Sequence, residues 1–141
     1  MKWERRDKVA RKAKEIYVNL PVTDLQKSID FFTALGFGFN DEMTDENATC
    51  MIVGDHIYVM LLVEPFFQKF TKKQLADSQA ATEVIVAISA DSKAEVDEMV
   101  QLAIEAGGKA SNDKMDDEYM YGWSFQDVDG HLWEVMCMPE N

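Results

Sequence analysis

The architecture of this chain can be worked out from one segment near its end, Gly130-His131-Leu132-Trp133-Glu134-Val135-Met136. An earlier segment, Gly54-Asp55-His56-Ile57-Tyr58-Val59-Met60, has a similar order of residue types. Each follows a turn rich in Asp or Gly and has a histidine, an aliphatic residue and an aromatic residue in succession. The two segments therefore predict the last strands of two copies of one module. In that interpretation Glu134 and Val59 occupy equivalent positions, and the two histidines are structural residues at strand starts.

The elements predicted before each of these segments also repeat. Residues 15–64 predict a strand, a helix, a short strand and two strands joined at a glycine turn, and residues 82–138 predict the same succession. Two capping boxes mark the helix starts and glycines mark the helix ends: Thr23 to Gln26, Ser92 to Glu95, Gly36 and Gly107-Gly108. Because an internal repeat constrains a fold more than local propensity does, we predict an α+β domain of two βαβββ modules joined by a linker at 65–81.

Charge is distributed unevenly along the chain, which has 14 basic and 26 acidic residues and a net charge of -12. Residues 1–14 form a basic N-terminal extension with an expected short helix, and the remainder of the chain is strongly acidic. An acidic body repels nucleic acid and anionic membranes, so neither is an expected partner. The extension is interpreted as lying against the acidic body, with binding of RNA or DNA by this arm as the alternative.

No feature of the sequence predicts export or membrane insertion. The two cysteines, Cys50 and Cys137, give no disulfide framework and are expected to be buried thiols. No apolar run approaches the roughly 20 residues of a membrane span, and no apolar stretch follows the charged start of the chain. We therefore expect a cytoplasmic protein.

Several motifs resemble those of one large superfamily. They are, in chain order, Val22-Thr23-Asp24-Leu25, Ser28-Ile29-Asp30-Phe31-Phe32, Leu35-Gly36-Phe37, Asp127-Val128-Asp129-Gly130-His131 and Trp133-Glu134. With the order of the modules, they are similar to the vicinal oxygen chelate superfamily, which includes glyoxalase I, bleomycin-resistance proteins, fosfomycin-resistance proteins and extradiol dioxygenases. The resemblance covers residues 15–138 and, through the aromatic linker, extends to an uncharacterised glyoxalase-like branch. It implies a cup-shaped mixed sheet with helices on the outside, a small molecule bound inside the cup, and a homodimer.

The resemblance also implies where a metal would be held. Enzymes of the superfamily bind a divalent metal through His or Glu side chains, one from the first and one from the last strand of each module, and the metal stabilises charge on two neighbouring substrate oxygens. The corresponding positions here are Tyr17, Val59, Ile85 and Glu134, and only Glu134 is an ordinary ligand. Shifting the register by one residue brings no histidine or carboxylate to the other three positions. We therefore predict no metal and no other cofactor.

The candidate ligand-binding residues combine one carboxylate with apolar and aromatic side chains. They are Glu134, Tyr17, Val59, Met60, Ile85, Tyr121 and Trp123. Glu134 is interpreted either as a pocket carboxylate that orients a ligand, or as a structural residue paired with Tyr17 or a backbone donor. Tyr121 and Trp123 alternate on one strand and so share a face, which is either an aromatic pocket or a core and dimer surface.

These features favour a binding function. We expect a protein that holds a small organic molecule in an apolar cup with one carboxylate and without the usual metal site, like the sequestering bleomycin-resistance branch. The alternative is a metal-dependent lyase, isomerase or dioxygenase of the same superfamily. A third hypothesis is an interaction domain whose basic arm contacts an acidic partner. No catalytic residue is assigned, because no Ser/His/Asp, Cys/His, phosphate-loop or CxxC pattern occurs.

Overall fold

The computed structural model describes residues 9–138, which form two mixed β-sheets and three α-helices. The strands are β1 (Ile16–Val22), β2 (Gly38–Asn40), β3 (Ala48–Gly54), β4 (Ile57–Val63), β5 (Ile85–Ser89), β6 (Lys109–Ala110), β7 (Met115–Asp116), β8 (Tyr121–Gln126) and β9 (Leu132–Cys137). The helices are α1 (Leu25–Ala34), α2 (Glu64–Phe67) and α3 (Lys93–Glu105). The predicted α+β class is confirmed.

The two sheets have the same topology. The first runs β1-β4-β3-β2 and the second runs β5-β9-β8-β6, with β7 also paired to β8. In each sheet the first strand lies parallel to the last strand of its module, and the other pairs are antiparallel. A parallel pair needs a long crossover connection, which α1 and α3 provide. The repeat of strand order confirms the two βαβββ modules.

One core serves both modules, because α1 of the first module packs on the sheet of the second. The ring of Phe32 lies 5.1 Å from that of Trp133 on β9, and the ring of Phe31 lies 6.1 Å from that of Phe125 on β8. All four side chains are at most 2% exposed. Full burial of one such ring contributes about 1.5–3 kcal/mol, so the halves stabilise each other.

The two helix starts differ from each other. The α3 helix begins as predicted, with the Ser92 hydroxyl accepting a hydrogen bond from the Glu95 backbone nitrogen at 3.1 Å. The α1 helix is capped by Asp24, whose carboxylate accepts from the Lys27 backbone nitrogen at 3.1 Å, and not by Thr23. The predicted Thr23 cap is therefore wrong, because Thr23 bonds instead to a residue of the second module.

That residue is Asp129, in the corner between β8 and β9. Its Oδ1 accepts hydrogen bonds from both the backbone nitrogen and the hydroxyl of Thr23 at 2.9 Å, and its Oδ2 accepts from the Ser28 hydroxyl at 3.2 Å. Nearby, His131 Nε2 lies 2.6 Å from the backbone oxygen of Pro21. These bonds tie the end of β1 and the start of α1 to the corner of the other module.

The basic extension lies only partly within the described residues. Residues 9–14 have no helical structure, so the helix predicted there is wrong for that part, and residues 1–8 lie outside the described range. No helix between residues 9 and 138 has the length and apolar character needed to cross a membrane.

Candidate functional site

Each sheet has one face that carries no helix, and Glu134 lies on such a face. Along β9, Trp133 and Val135 are fully buried in the core, and alternation turns Glu134 to the opposite side. Glu134 pairs with Ala87 on β5 and with Ser124 on β8, so those three residues share the helix-free face of the second sheet. Glu134 is half-buried there.

A small groove lies beside Glu134, and we call it the methionine groove. Its lining on this face comprises Asn112, Asp113, Met115, Met120, Gly122, Ser124, Glu134 and Met136. The segment before β8 folds over the sheet, and the Ser124 hydroxyl accepts a hydrogen bond from the Asn112 backbone nitrogen at 2.8 Å. The groove has a volume of about 50 Å³, which is room for a small chemical group and not for a whole organic ligand.

The Glu134 carboxylate has no hydrogen-bond or ion-pair partner among residues 9–138. The predicted pairing with Tyr17 is not formed, because the Tyr17 hydroxyl donates to Glu15 Oε1 at 3.1 Å. No fully buried side-chain oxygen in the described part of the chain lacks a partner, so the Glu134 carboxylate is in contact with solvent. Glu134 is therefore available to a ligand.

Three other candidates, Tyr17, Met60 and Ile85, lie on helix-free faces. Tyr17 stacks on Tyr58 with ring centroids 4.8 Å apart on the first sheet, and 43% of Tyr17 is exposed. Met60 pairs with Asn19 across the same face. Ile85 pairs with Leu132 and lies on the face of Glu134, with 48% of its surface exposed. These residues lie on the helix-free faces, and their role in ligand binding stays a prediction.

Val59 is not the counterpart of Glu134. It is 1% exposed and points into the core, whereas Met60 faces away from the core. Met60 pairs with Asn19 in the first module, and Glu134 pairs with Ala87 in the second. Asn19 and Ala87 each lie five residues before the N-cap of the following helix, so Met60 and Glu134 are the equivalent residues. The equivalence drawn from the sequence is off by one residue.

The cause of this error is the backbone at the two corners. His56 has a φ of 65° and Gly130 has a φ of 87°, so His56 holds the left-handed position that Gly130 holds in the second module. The two histidines are consequently not equivalent, and a register irregularity between Ile52 and Gly54 accompanies the difference. A one-residue slip of this kind moves a side chain to the other face of a sheet.

Tyr121 and Trp123 face the helix side of the second sheet. The Tyr121 hydroxyl donates to Asp97 on α3 at 2.6 Å, a bond that raises the pKa of that hydroxyl. The Lys114 ammonium lies 4.6 Å from the centre of the Trp123 ring. Trp123 also borders the methionine groove, but the structure does not place these two aromatic side chains on the face of Glu134.

The methionines of the groove were not identified from the sequence. The sequence contains nine methionines, and its composition does not show which of them lie together. The three that line the groove, Met115, Met120 and Met136, come from separate segments. Alternation along β8 would have placed Gly122 and Ser124 opposite Glu134 once the pairing of β8 and β9 was known. The missing signal was the fold of the segment between β6 and β8.

The residues at the superfamily's metal positions do not fit a divalent ion. They are Tyr17, Met60, Ile85 and Glu134, a set with one carboxylate, one phenol already bonded to Glu15, one thioether and one aliphatic side chain. Hard divalent ions need several oxygen or nitrogen ligands in one place. No group of three or more His, Cys, Asp or Glu residues in the described part of the chain is arranged to hold a metal.

Comparison of the sequence with models of protein families identifies a family that agrees with this architecture. The family model described as Glyoxalase/Bleomycin resistance protein/Dioxygenase superfamily matches residues 16–135. The chain belongs to this superfamily. The resemblance to the vicinal oxygen chelate proteins is thereby confirmed. No curated protein matches the chain.

Several solved structures resemble the chain over nearly its whole length. The hypothetical protein SA1046 from S. aureus is 28% identical with a TM-score of 0.77, and the match covers 90% of this chain and 95% of that one. A glyoxalase-related enzyme from Fulvimarina pelagi is 17% identical with a TM-score of 0.75, covering 87% and 86%. The fosfomycin resistance protein FosX from Listeria monocytogenes, complexed with Mn(II) and sulfate, is 15% identical with a TM-score of 0.67, covering 92% and 93%. The last two show a shared fold.

Proposed function

We propose that the chain binds a small organic cation on the helix-free face of the second sheet, with no metal taking part. The Glu134 carboxylate, which has no partner in the described residues, carries this proposal. A carboxylate beside polarizable thioethers suits an ammonium group with an apolar body, because methionine surfaces adapt to varied apolar shapes. The net charge of -12 also attracts cations to the protein.

The dimensions of the site support a two-part ligand. The methionine groove, at about 50 Å³, accommodates an ammonium or methylammonium group next to Glu134. The apolar body of the ligand would then lie over the neighbouring exposed face, where Ile85 is 48% exposed and pairs with Leu132. Binding of this kind would sequester the ligand and needs no catalytic group.

Benzylammonium is a suitable probe, with benzyl alcohol as its neutral counterpart of similar shape. Isothermal titration should give saturable binding of the cation that is at least tenfold tighter than binding of the alcohol. Glu134→Gln should weaken binding of the cation at least tenfold, because it removes the charge and keeps the shape. Glu105→Gln removes an equal charge from an exposed site on α3 and should leave binding unchanged. Equal binding by Glu134→Gln and the unmodified protein would refute the role of this carboxylate.

The competing hypothesis is a metal-dependent lyase, isomerase or dioxygenase, as the Mn(II) complex of FosX illustrates for that protein. Metal analysis of the purified protein and titration with MnCl₂ distinguish the two. We expect less than one equivalent of any divalent ion, and the same low content in Glu134→Gln. A stoichiometric ion that is lost in Glu134→Gln would establish a metal site at this carboxylate and overturn the proposal.

We also propose that the chain forms a homodimer through the helix-free face of its first sheet, which leaves the face of Glu134 open to a ligand. Apolar side chains on the first sheet's face are exposed in the single chain, with Tyr17 at 43% and Ile52 at 42%. Large exposed apolar patches usually mark contact surfaces. Light scattering after size exclusion should give twice the mass of one chain, and Ile52→Lys should reduce that mass. A monomer at micromolar concentration would refute the dimer.

A further inference from the structure

A second cavity lies away from Glu134, between the two modules and beneath the segment that connects them. Its volume is about 290 Å³, several times that of the methionine groove. Its walls are the end of β1, the start of β9 with the preceding corner, and connector residues 71–84. Cavities of this size suit small organic molecules.

The cover of this cavity is fixed to the protein by specific contacts. The Ser78 hydroxyl donates to the backbone oxygen of Asp129 at 2.7 Å, and the Gln79 side-chain nitrogen donates to the backbone oxygen of Val128 at 3.4 Å. The connector also packs directly on Gly130, where an added Cβ would lie 2.7 Å from the Ser78 backbone oxygen. The cavity is thus a partly open pocket, and the connector that forms one of its walls is held in place by these contacts.

One wall of the cavity carries a buried imidazole with a free nitrogen. His131 is 8% exposed and lines the cavity. Its Nε2 lies 2.6 Å from the Pro21 backbone oxygen, and since a carbonyl only accepts, Nε2 carries the proton. In the neutral ring Nδ1 is then an acceptor, and it has no partner among the described residues.

This free nitrogen is open to small molecules. No fully buried side-chain nitrogen or oxygen in the described part of the chain lacks a hydrogen-bond partner. Because Nδ1 of His131 has no hydrogen-bond partner among the described residues, this atom is not fully buried, and a solvent-sized molecule can reach it. His131 lines the cavity, so we take the cavity as the place from which a ligand reaches this atom. A ligand that donates a hydrogen bond would satisfy this acceptor.

The remaining lining selects for a neutral, largely apolar ligand. Lys73 and Glu83 both border the cavity, so charges of opposite sign offset each other there and favour neither an anion nor a cation. Phe67 contributes an aromatic ring, and the other apolar walls include Leu20, Leu75 and Leu132. Aromatic walls favour an aromatic ligand through stacked or edge contacts.

We propose that this cavity is a binding site for a small neutral phenol, whose hydroxyl donates to Nδ1 of His131 and whose ring lies against the apolar wall. The site is separate from Glu134 and does not depend on the function proposed for that carboxylate. The proposal makes the connector part of a ligand-binding site as well as a link between the modules.

Phenol and toluene test the proposal, because they have nearly the same shape and differ in the donor. Titration of the full chain should give one-to-one binding of phenol that is at least tenfold tighter than binding of toluene, which corresponds to about 1.4 kcal/mol. Long-range ¹H–¹⁵N spectra should show the Nδ1 resonance of His131 shifting with phenol and not with toluene. Equal affinity for the two compounds, or no saturable binding of phenol, would overturn the proposal.

Two neighbouring alanines give a matched pair of variants. Ala81 lines the cavity and Ala80 does not, and both are exposed residues whose backbone nitrogens bond to Asp77. Ala81→Phe should weaken phenol binding at least tenfold, and Ala80→Phe should leave it unchanged. Unchanged binding in Ala81→Phe would place phenol elsewhere and refute the site. Glu134→Gln should bind phenol normally, so failure of this proposal and failure of the proposed function can be told apart.

Discussion

The two corners that precede the last strand of each module differ in their contacts. In the first module His56 is exposed, and its Nδ1 lies 4.0 Å from the carboxylate of Glu15. In the second module Asp127, Asp129 and His131 are all less than 9% exposed, and the corner bonds to the end of β1 and the start of α1. Two copies of one module have thus diverged, so that one corner is free and the other holds the halves together.

The bonds of the second corner show which residues of the motif hold the fold together and which residue belongs to the candidate site. Asp129 and His131 belong to motifs that the resemblance to the superfamily highlights, yet the carboxylate of Asp129 is occupied by Thr23 and Ser28. The carboxylate of Glu134, four residues after Gly130, has no hydrogen-bond or ion-pair partner among residues 9–138. A motif can therefore combine residues that support the fold with one, Glu134, for which we propose a role in ligand binding.

Replacing Asp129 should have the largest effect on stability. Asp129→Ala leaves Thr23 and Ser28 without their acceptor, and Ser28 is 1% exposed. We expect the free energy of unfolding, measured by urea denaturation, to fall by about 3 kcal/mol. Asp55→Ala, in the exposed corner, should change it by less than about 0.5 kcal/mol. Equal losses in the two variants would show that the corners are equivalent after all.

Single substitutions at the two left-handed positions, Gly130 and His56, should change the free energy of unfolding by smaller amounts and in opposite directions. Gly130→Ala places a Cβ at a φ of 87° and 2.7 Å from the Ser78 backbone oxygen, so we expect a loss of about 2 kcal/mol. His56→Gly relieves a φ of 65° and should gain about 0.5 kcal/mol. Thermal unfolding measures both, and a loss of stability in His56→Gly would contradict the account of the register error.

The pH dependence of the free energy of unfolding should show that the pKa of the buried Asp127 carboxyl is raised in the folded protein. Burial raises the pKa of its carboxyl above the ordinary value of 3.8, although the neighbouring His131 and bonds from Trp133 and from backbone nitrogens oppose that rise. A raised folded pKa means that its stabilising contribution is complete below pH 3.8 and is lost as the pH rises through the folded pKa. Compared with Asp127→Asn, the unmodified protein should therefore lose stability as the pH increases above that value.

Urea titrations of both proteins between acidic and neutral pH give this comparison. The Asn side chain does not titrate, so only the difference between the two profiles reports on Asp127. Parallel profiles, or a relative gain of stability by the unmodified protein with rising pH, would contradict the assigned direction of the pKa.

The smallest effect is expected at Glu134, whose counterpart in the first module is Met60. Glu134→Met removes a carboxylate without a partner and extends the methionine groove, so the free energy of unfolding should change by less than about 0.5 kcal/mol. A loss above about 1 kcal/mol would mean that the carboxylate stabilises the fold. The substitution tests stability separately from ligand binding.

Local patterns in the sequence predicted most of the fold. Ser92 caps its helix, and Gly36 and Gly107 take the left-handed conformation just after helix ends. These features depend on neighbouring residues alone, so a single sequence contains the information. The repeat of the two modules then followed from comparing the halves with each other.

The errors arose where distant residues decide the outcome. Thr23 looked like a helix cap, but its partner Asp129 lies 106 positions away, and no local pattern contains that contact. The Val59 assignment failed because His56 adopts a conformation that favours glycine, which shifts the register of the strand that follows. The large cavity was not predicted, because it forms only where the connector bonds to the corner of the second module.

The bond between Thr23 and Asp129 can form only late in synthesis, because its two residues are far apart in the sequence. The start of α1 leaves the ribosome 106 residues ahead of its carboxylate partner. At roughly 5–20 residues per second, that interval lasts several seconds or longer. We therefore expect the nascent first half to remain incompletely folded until the second half follows, so that the chain gains its stability late and as a unit.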